Sequence, residues 1–287
     1  MKTILVATDF SERSDRALRR ATLMAKADGA RLVLVHGIDD QQPERLADSA
    51  QREAEELISE LAQSVTSLDG VACEGVVMRG SIDETVVKVA KAQAADLLVV
   101  GSHRQRPFRD IFLGTTVDRI LRRSLRPVLM AKTVPAARHH HVLFATDMSD
   151  GCTNAIRAAG NLGLLAGARL SVVHVFAAPG QELMLHASRS TKEVLAYIES
   201  ERAKATMKLD AYLKEIGIEA DTRFAELAEV ATAETIDDCA RDLKADLIVI
   251  GTQARSTITR FVLGSVAQGV LRATASDVLV VPPPQAA

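Results

Sequence analysis

The sequence predicts two tandem α/β domains, each a doubly wound sheet of five parallel strands in the order 3-2-1-4-5 with helices on both faces. Short β-branched runs alternate with segments of helical period, and the runs that read as central strands are apolar on both sides, as covered parallel strands must be. The whole pattern is also written twice. "LVATDFSERSDRALRRATLMAKADGARLVLVHG" (5–37) aligns with "LFATDMSDGCTNAIRAAGNLGLLAGARLSVVHV" (143–175) at an offset of 138, with 14 identities in 33 positions. "ADLLVVGS", "FLGTTVDRILR" and "PVLMAK" return as "ADLIVIGT", "VLGSVAQGVLR" and "DVLVVP" at an offset of 150, so 12 residues enter the second copy, most simply within "APGQELMLHASRSTKEV". Each copy has the size of an independent domain and is far too long for a solenoid repeat. The junction "TVPAARHHHV" puts the boundary near Arg138, giving domains 1–138 and 139–287.

In the first copy "TILVAT" is a strand, closed by Asp9 and Ser11, which signal a helix start. "SERSDRALRRATLMAKA" carries apolar residues at 17, 18, 21, 24 and 25 before Gly29 stops it. "RLVLVHG" is the second strand and "PERLADSAQREAEELISELAQSV" a long amphipathic helix, with Leu57, Ile58, Leu61 and Val65 expected in the core and Glu53, Glu55, Glu56 and Glu60 in water. "VACEGVVM", "DLLVVG" and "RPVLMAK" complete the strands, with "SIDETVVKVAKAQA" the helix between the third and fourth. Right-handed crossovers follow from the parallel arrangement. Strand 5 is a sheet edge of high β propensity, so the two copies are expected to pair antiparallel there.

Composition narrows the function. The chain has 287 residues, 47% hydrophobic and 25% charged, with a formal net charge of -2, which fits a soluble globular protein with no global attraction for nucleic acid or anionic membrane. Cys73, Cys152 and Cys239 are isolated thiols without CxxC or CxxH spacing, which argues against a disulfide framework or structural zinc and for the cytoplasm. No signal-peptide architecture or apolar run long enough to span a bilayer is present. GxSxG, HExxH and a Walker lysine are all missing, so no enzyme is expected, although slow ATP hydrolysis stays open.

In such a sheet a ligand binds where strand order reverses, at the carboxyl ends of strands 1 and 4, where Asp9 and Gly101 fall. The loop after strand 4, "GSHRQRPFRDIFLGTT", frames a phosphate site: Gly114 lets backbone approach, and Thr115 and Thr116 offer hydroxyls and free amides at a helix N-terminus. Asp9 suits a base or ribose, or equally a cap for residues 11 to 13. His103, Arg104, Arg106 and Arg109 make this loop basic, while its counterpart "GTQARSTITRF" has only Arg255 and Arg260. Residues 1–138 carry 21 basic against 19 acidic residues and the remainder 14 against 18, so the first copy is favoured for an anion. A solvated loop is the plain alternative.

"VATDFSERSDRAL", "LVLVHG", "DLLVVGSH" and "FLGTTVDRILRRSLRPVLM", with their second copies "FATDMSDGCTNAI", "LSVVHV", "DLIVIGTQ" and "VLGSVAQGVLRATASDVLVV", resemble the universal stress protein family over nearly the whole chain. The tandem two-domain members are the nearest in organisation. The resemblance implies a flavodoxin-like, adenine nucleotide alpha-hydrolase-like fold and a stress-response role, with or without ATP or another adenine nucleotide, and no metal beyond nucleotide-associated Mg. ATP-binding members carry a glycine, two residues, a second glycine, nine residues, then glycine with Ser or Thr. Here Gly101 and Gly114-Thr115 match with Arg104 in the middle, and Gly251 and Gly264-Ser265 match with Ala254 in the middle. A Cβ there opposes close backbone approach or a positive φ, so both copies are degenerate.

The resemblance places Ala7, Thr8, Asp9, Gly37, Val100 and Gly101 around an adenosine in the first copy, and Ala145, Thr146, Asp147, Val175, Ile250 and Gly251 in the second, with Val266 beside Gly264-Ser265. The apolar members would equally serve a core. Strand-5 pairing of the copies is also implied, and a homodimer of the chain is open.

His36 and His174 close strand 2 in each copy and read as structural. His139, His140 and His141 alternate in direction if extended, cannot converge on one ion, and read as linker. Cys73 and Cys239 read as buried. Cys152, near the second crevice, sits where a helix N-terminus lowers a thiol pKa, which leaves a minor redox reading open. Two functions remain: a cytoplasmic stress-response protein with an adenine-nucleotide site retained in the first domain, or a nucleotide-free scaffold acting through protein association.

Overall fold

The computed structural model describes residues 1–39, 43–102, 116–187, 189–252 and 263–283. Ten strands form one continuous sheet in the order β3-β2-β1-β4-β5-β10-β9-β6-β7-β8. In the first half β1 (Thr3–Ala7), α1 (Glu12–Asp28), β2 (Arg31–Ile38), α2 (Glu44–Ser64), β3 (Cys73–Arg79), α3 (Ile82–Ala92), β4 (Leu97–Gly101), α4 (Thr116–Arg123) and β5 (Val128–Ala131) follow in turn. The second half repeats them as β6 (His141–Ala145), α5 (Asp150–Asn161), β7 (Arg169–Phe176), α6 (Gly180–His186), α7 (Thr191–Ile216), β8 (Thr222–Leu227), α8 (Thr232–Leu243), β9 (Leu247–Gly251), α9 (Ser265–Ala273) and β10 (Asp277–Val281). The extra residues of the second copy include α6, and α7 runs 26 residues against 21 in α2. No described helix is long and apolar enough to cross a membrane.

Each half is a parallel sheet of order 3-2-1-4-5, and the two registers match: Ile4 faces Leu97 across β1 and β4 as Val142 faces Leu247 across β6 and β9. The halves join where β5 lies antiparallel to β10, Leu129 opposite Leu279, with Val278 on Met130 and Val280 on Val128. Leu129 and Leu279 are counterparts in the repeat, so a pseudo-twofold passes between them. Every paired residue of this ladder is buried, and two strand edges that would template association are thereby removed.

Alternation along the central strands sends side chains into two cores, one on each face. Ile4, Val6, Leu32, Leu34, Leu97 and Val99 pack with Ala17, Ala21 and Met24 of α1, whereas Leu5, Val33, Leu98 and Val100 pack with Val86 and Val89 of α3 and Ile120 of α4. Each core runs through both halves, since Phe144 joins the first and Leu143 the second. Leu57 differs from the expectation: it is 40% exposed, because α2 turns Ala47, Ala54, Ile58 and Ala62 inward while Leu57 falls on the flank.

The histidine run is a second difference. It is no free linker: His141 begins β6, its Nδ1 2.9 Å from the Leu243 carbonyl and Nε2 2.8 Å from Ser171 Oγ, while His139 lies buried against Asp277. Only His140 is exposed. Two of the three alternate positions therefore enter the protein, where polar groups must find partners.

Candidate functional site

β1 and β4 are neighbours in the sheet, and their carboxyl ends form the rim of a crevice at the point where strand order reverses. Beyond β1 the chain turns sharply. Thr8 Oγ1 accepts the Phe10 amide at 3.0 Å and donates to Ser14 Oγ at 3.2 Å, while Asp9 Oδ1 accepts the Ser11 amide at 3.1 Å and the Ser11 hydroxyl at 2.5 Å. Phe10 takes a left-handed φ of 57° and its ring stacks on His36 at 4.5 Å. The second crevice is built alike. Thr146 Oγ1 accepts the Met148 amide at 2.9 Å, Asp147 Oδ1 accepts the Ser149 amide at 3.0 Å, and Met148 has a φ of 64°.

The capping role expected for Asp9 passes to Ser11, which is the N-cap of α1 in a capping box with Ser14. Asp9 instead steadies the turn before the cap. Burial works against its charge, but hydrogen bonds from Ser11 and Ser14 and the nearby Arg13 outweigh it and hold the carboxyl below 3.8. Its side chain is 63% exposed, so the carboxylate is ionised and open to a partner. Asp147 is exposed at the matching place.

His36 Nδ1 lies 2.8 Å from the Thr8 carbonyl and His174 Nδ1 2.9 Å from the Thr146 carbonyl, so each histidine ties the second strand to the turn after the first. Both serve the frame of the crevice. Cys152 departs from the low-pKa reading: burial and the Asp147 carboxylate raise its thiol, whose Sγ donates to Asp147 Oδ1 at 3.2 Å. Cys239 is buried and pushed up to about 11; Cys73 is half-buried rather than buried, and pushed up to about 12.

The motif glycines divide by cause. A Cβ on Gly101 would lie 2.6 Å from the Arg13 carbonyl oxygen, and one on Gly251 would lie 2.5 Å from that of Gly151. These two glycines therefore let the first turn of α1 or α5 press onto the end of the fourth strand. Gly37 is tight for a similar reason, since a Cβ would meet Ile82 at 3.1 Å. In the second half Val175 stands at the place of Gly37, and the smaller Thr232 at the place of Ile82. Gly264 is different. It is the exposed N-cap of α9, with no atom of a described residue within 4 Å of where its Cβ would be, so none of the described residues requires a glycine there.

Ala7, Thr8, Asp9, Gly37, Val100 and Gly101 all come to the first crevice at the ends of β1, β2 and β4, and Ala145, Thr146, Asp147, Val175, Ile250 and Gly251 to the second at the ends of β6, β7 and β9. Thr116 opens α4, its hydroxyl accepting from Arg119 at 3.3 Å, and Ser265 and Val266 open α9 exposed. His103, Arg104, Gly114 and Thr115, with Arg106, Arg109, Ala254, Arg255 and Arg260, lie outside the described residues. Among the described residues no group of three or more His, Cys, Asp or Glu side chains could hold a metal ion. A groove of about 700 Å³ lies elsewhere, between α2 and edge strand β3, lined by Ile58, Ala62, Cys73 and Gly75 among others.

Sequence reasoning passed over two features. Asp118, in the first turn of α4, is buried and paired with Arg122 at 3.0 Å, whereas the first turn of α9 has no acid. Asp277 is fully buried where the halves meet and is bonded by Arg20, His139, Lys132 and Thr133. A lone acid before a hydrophobic strand was the available signal for the second, but its partners are remote in sequence.

The sequence profile of the universal stress protein family matches residues 1–132 and again 139–282. Among curated relatives, a universal stress protein of Thermus aquaticus is 30% identical over 135 residues, covering 46% of this chain and 98% of its own. Universal stress protein MJ0577 of Methanocaldococcus jannaschii is 25% identical over 153 residues, covering 46% of this chain and 94% of its own. Among solved structures, a universal stress protein from Archaeoglobus fulgidus superposes with a TM-score of 0.71 at 20% identity, covering 97% of both chains. PA1789 of Pseudomonas aeruginosa, a protein of unknown function, does so at 0.70 and 23%, covering 99% of this chain and 93% of its own. These two likenesses extend over both halves and show the paired-domain fold.

Proposed function

Because the chain belongs to the universal stress protein family, with one copy of the family's domain in each half, we propose that it is a cytoplasmic stress-response protein that binds ATP or another adenine nucleotide and does not act as an enzyme on it. The observation that carries this reading is Gly264. An exposed glycine with no described residue near its missing Cβ, capping the N-terminus of a helix beside the end of β9, suits the close approach of an anionic ligand. Asp147, or Asp9 in the first crevice, would accept hydrogen bonds from the base or ribose, and the ligand's phosphates would bring Mg with them.

The two halves are not equivalent in this role. The arginines of residues 101–116 favour the first domain for the phosphates. The first turn of α4, however, carries the buried carboxylate of Asp118, which opposes an anion, and the acid-free turn of α9 favours the second. Isothermal titration with MgATP separates these readings. Micromolar binding abolished by Asp9→Ala assigns the first crevice, and binding abolished by Asp147→Ala the second, each variant keeping the wild-type circular dichroism melt. No heat from the folded wild type supports instead a nucleotide-free scaffold that works by protein association.

A further inference from the structure

Lys132 stands at the end of β5, in the first half, but its side chain serves the second. Its Nζ donates to the Leu271 carbonyl at 2.7 Å, in the last turn of α9, and to the carbonyl of its C-cap Thr274 at 2.5 Å. Those acceptors need an outside partner. α1 and α7 each end on a left-handed glycine, Gly29 and Gly217, after which the Ala30 and Ile218 amides also turn back onto the Ala25 and Leu213 carbonyls. By contrast, α9 ends on Thr274, whose own amide reaches Val270 but whose extended conformation, φ -73° and ψ 148°, leads the chain away from the helix. The lysine also sits at the negative end of the helix dipole. Burial lowers its pKa to about 8, with Asp237 and Asp277 pulling the other way.

The lysine is itself held fast. Its backbone amide donates to Asp277 Oδ1 at 2.8 Å, and the same carboxylate is gripped by Arg20 Nε at 2.8 Å and His139 Nε2 at 3.0 Å. Nothing equivalent exists in the other direction, because Pro282 occupies the place of Lys132 in the repeat and Pro127 that of Asp277. α4 ends in the same kind of hydroxyl turn as α9: the Ser124 hydroxyl accepts the Arg126 amide, as the Thr274 hydroxyl accepts the Ser276 amide. It has no lysine at its place in the repeat.

We propose that Lys132 is a positioning residue through which the first domain sets the placement of α9, and so of Gly264, Ser265 and Val266 at the mouth of the second crevice. The ligand of that crevice rests on the nucleotide reading above; the mechanical coupling does not. α9 has nine residues, so a bond at its last turn and the N-cap at its first belong to one short rigid rod. The bond that reports on the far end is the Gln268 amide to the Gly264 carbonyl, at 3.0 Å.

Residue-resolved amide exchange by NMR on the full chain, comparing wild type, Lys132→Met and Lys132→Arg, tests this. Lys132→Met should speed exchange at Gln268 about fivefold, the effect of losing a cation at a helix C-terminus, and leave the amides of α4 unchanged as an internal control. Lys132→Arg should restore protection. In an Asp9→Ala background, MgATP binding should weaken by a similar factor with Lys132→Met. Acceleration confined to Val270–Thr274, or none, overturns the proposal, because the lysine is then only a local cap. Should wild type bind no nucleotide, the Gln268 amide alone still decides.

Discussion

Glycines at different positions of one motif do different physical work, and their substitutions should separate cleanly. Gly101→Ala and Gly251→Ala each push a methyl to within 2.6 Å of a helix carbonyl, a backbone contact that cannot swing aside. Each is expected to cost about 1–3 kcal/mol or more, read as a lowered urea midpoint. Gly264→Ala meets no described residue and has an ordinary φ of -65°, so its stability should fall by no more than about 1 kcal/mol, the cost of alanine at an N-cap, while ligand binding falls. A large stability loss at Gly264 would show that it is a packing residue. The sequence made both sets legible as motif glycines, but their causes lie in the distance between α1 and β4, which no spacing along the chain reveals. The same holds for Cys152: its place after "TDMSDG" suggested an activated thiol, whereas the fold buries it against a carboxylate.

Helix pairs that match in the repeat are fastened by different means. In the first half Asp83, at the start of α3, accepts from Arg119 Nε at 2.9 Å and lies 3.0 Å from Arg123 Nε, so an ion-pair cluster ties α3 to α4. In the second half these places hold Ala233, Gly269 and Ala273, and α8 and α9 approach so closely that a Cβ on Gly269 would lie 2.5 Å from that of Ala233. Charge joins one pair and close packing the other. Burial opposes the ionised form of Asp83, but Ser81 and the arginines prevail and hold its pKa below 3.8. A depressed folded pKa gives stability that is complete above the unfolded value and lost as pH falls through the folded one. Asp83→Asn should therefore flatten the acid limb of the stability profile below about pH 4, and Gly269→Val should destabilise equally at all pH values. If Asp83→Asn leaves the acid limb unchanged, the cluster does not hold the helices. The strands and helices themselves were legible from periodicity, because two covered faces force apolar runs; Leu57 was misplaced because the helical period fixes a face only to within a residue or so.

Over the whole molecule, the antiparallel meeting of β5 and β10 could be read in advance from edge strands of high β propensity, but the clasp beside it could not. Arg20 and Asp277 are 257 positions apart, and Arg20 reads in sequence as one more charge on an amphipathic helix. In the fold both are almost wholly buried. Arg20 Nε meets Asp277, its other nitrogens reach the Ala137 carbonyl at 2.7 Å and Thr133 Oγ1 at 3.1 Å, and Arg138 bonds Asp28 of α1 together with the Gly163 carbonyl after α5. The connecting segment is thus a strap bound to both halves. Removing one member of a buried, fully bonded pair leaves the other charge without a partner and costs about 3–5 kcal/mol, more than the pair itself contributes. Asp277→Ala should accordingly lower stability by about that much, while the double variant Arg20→Met with Asp277→Ala should recover part of the loss because no unpaired charge remains. Calorimetry reads both, and it also reads cooperativity: with two cores that run through both halves, wild type should melt in one transition, and Asp277→Ala should broaden or split it as the halves loosen from each other. A single variant as stable as wild type, or a double variant worse than the sum of the two singles, would mean that the β5–β10 ladder alone holds the domains and that the buried charges only fill space.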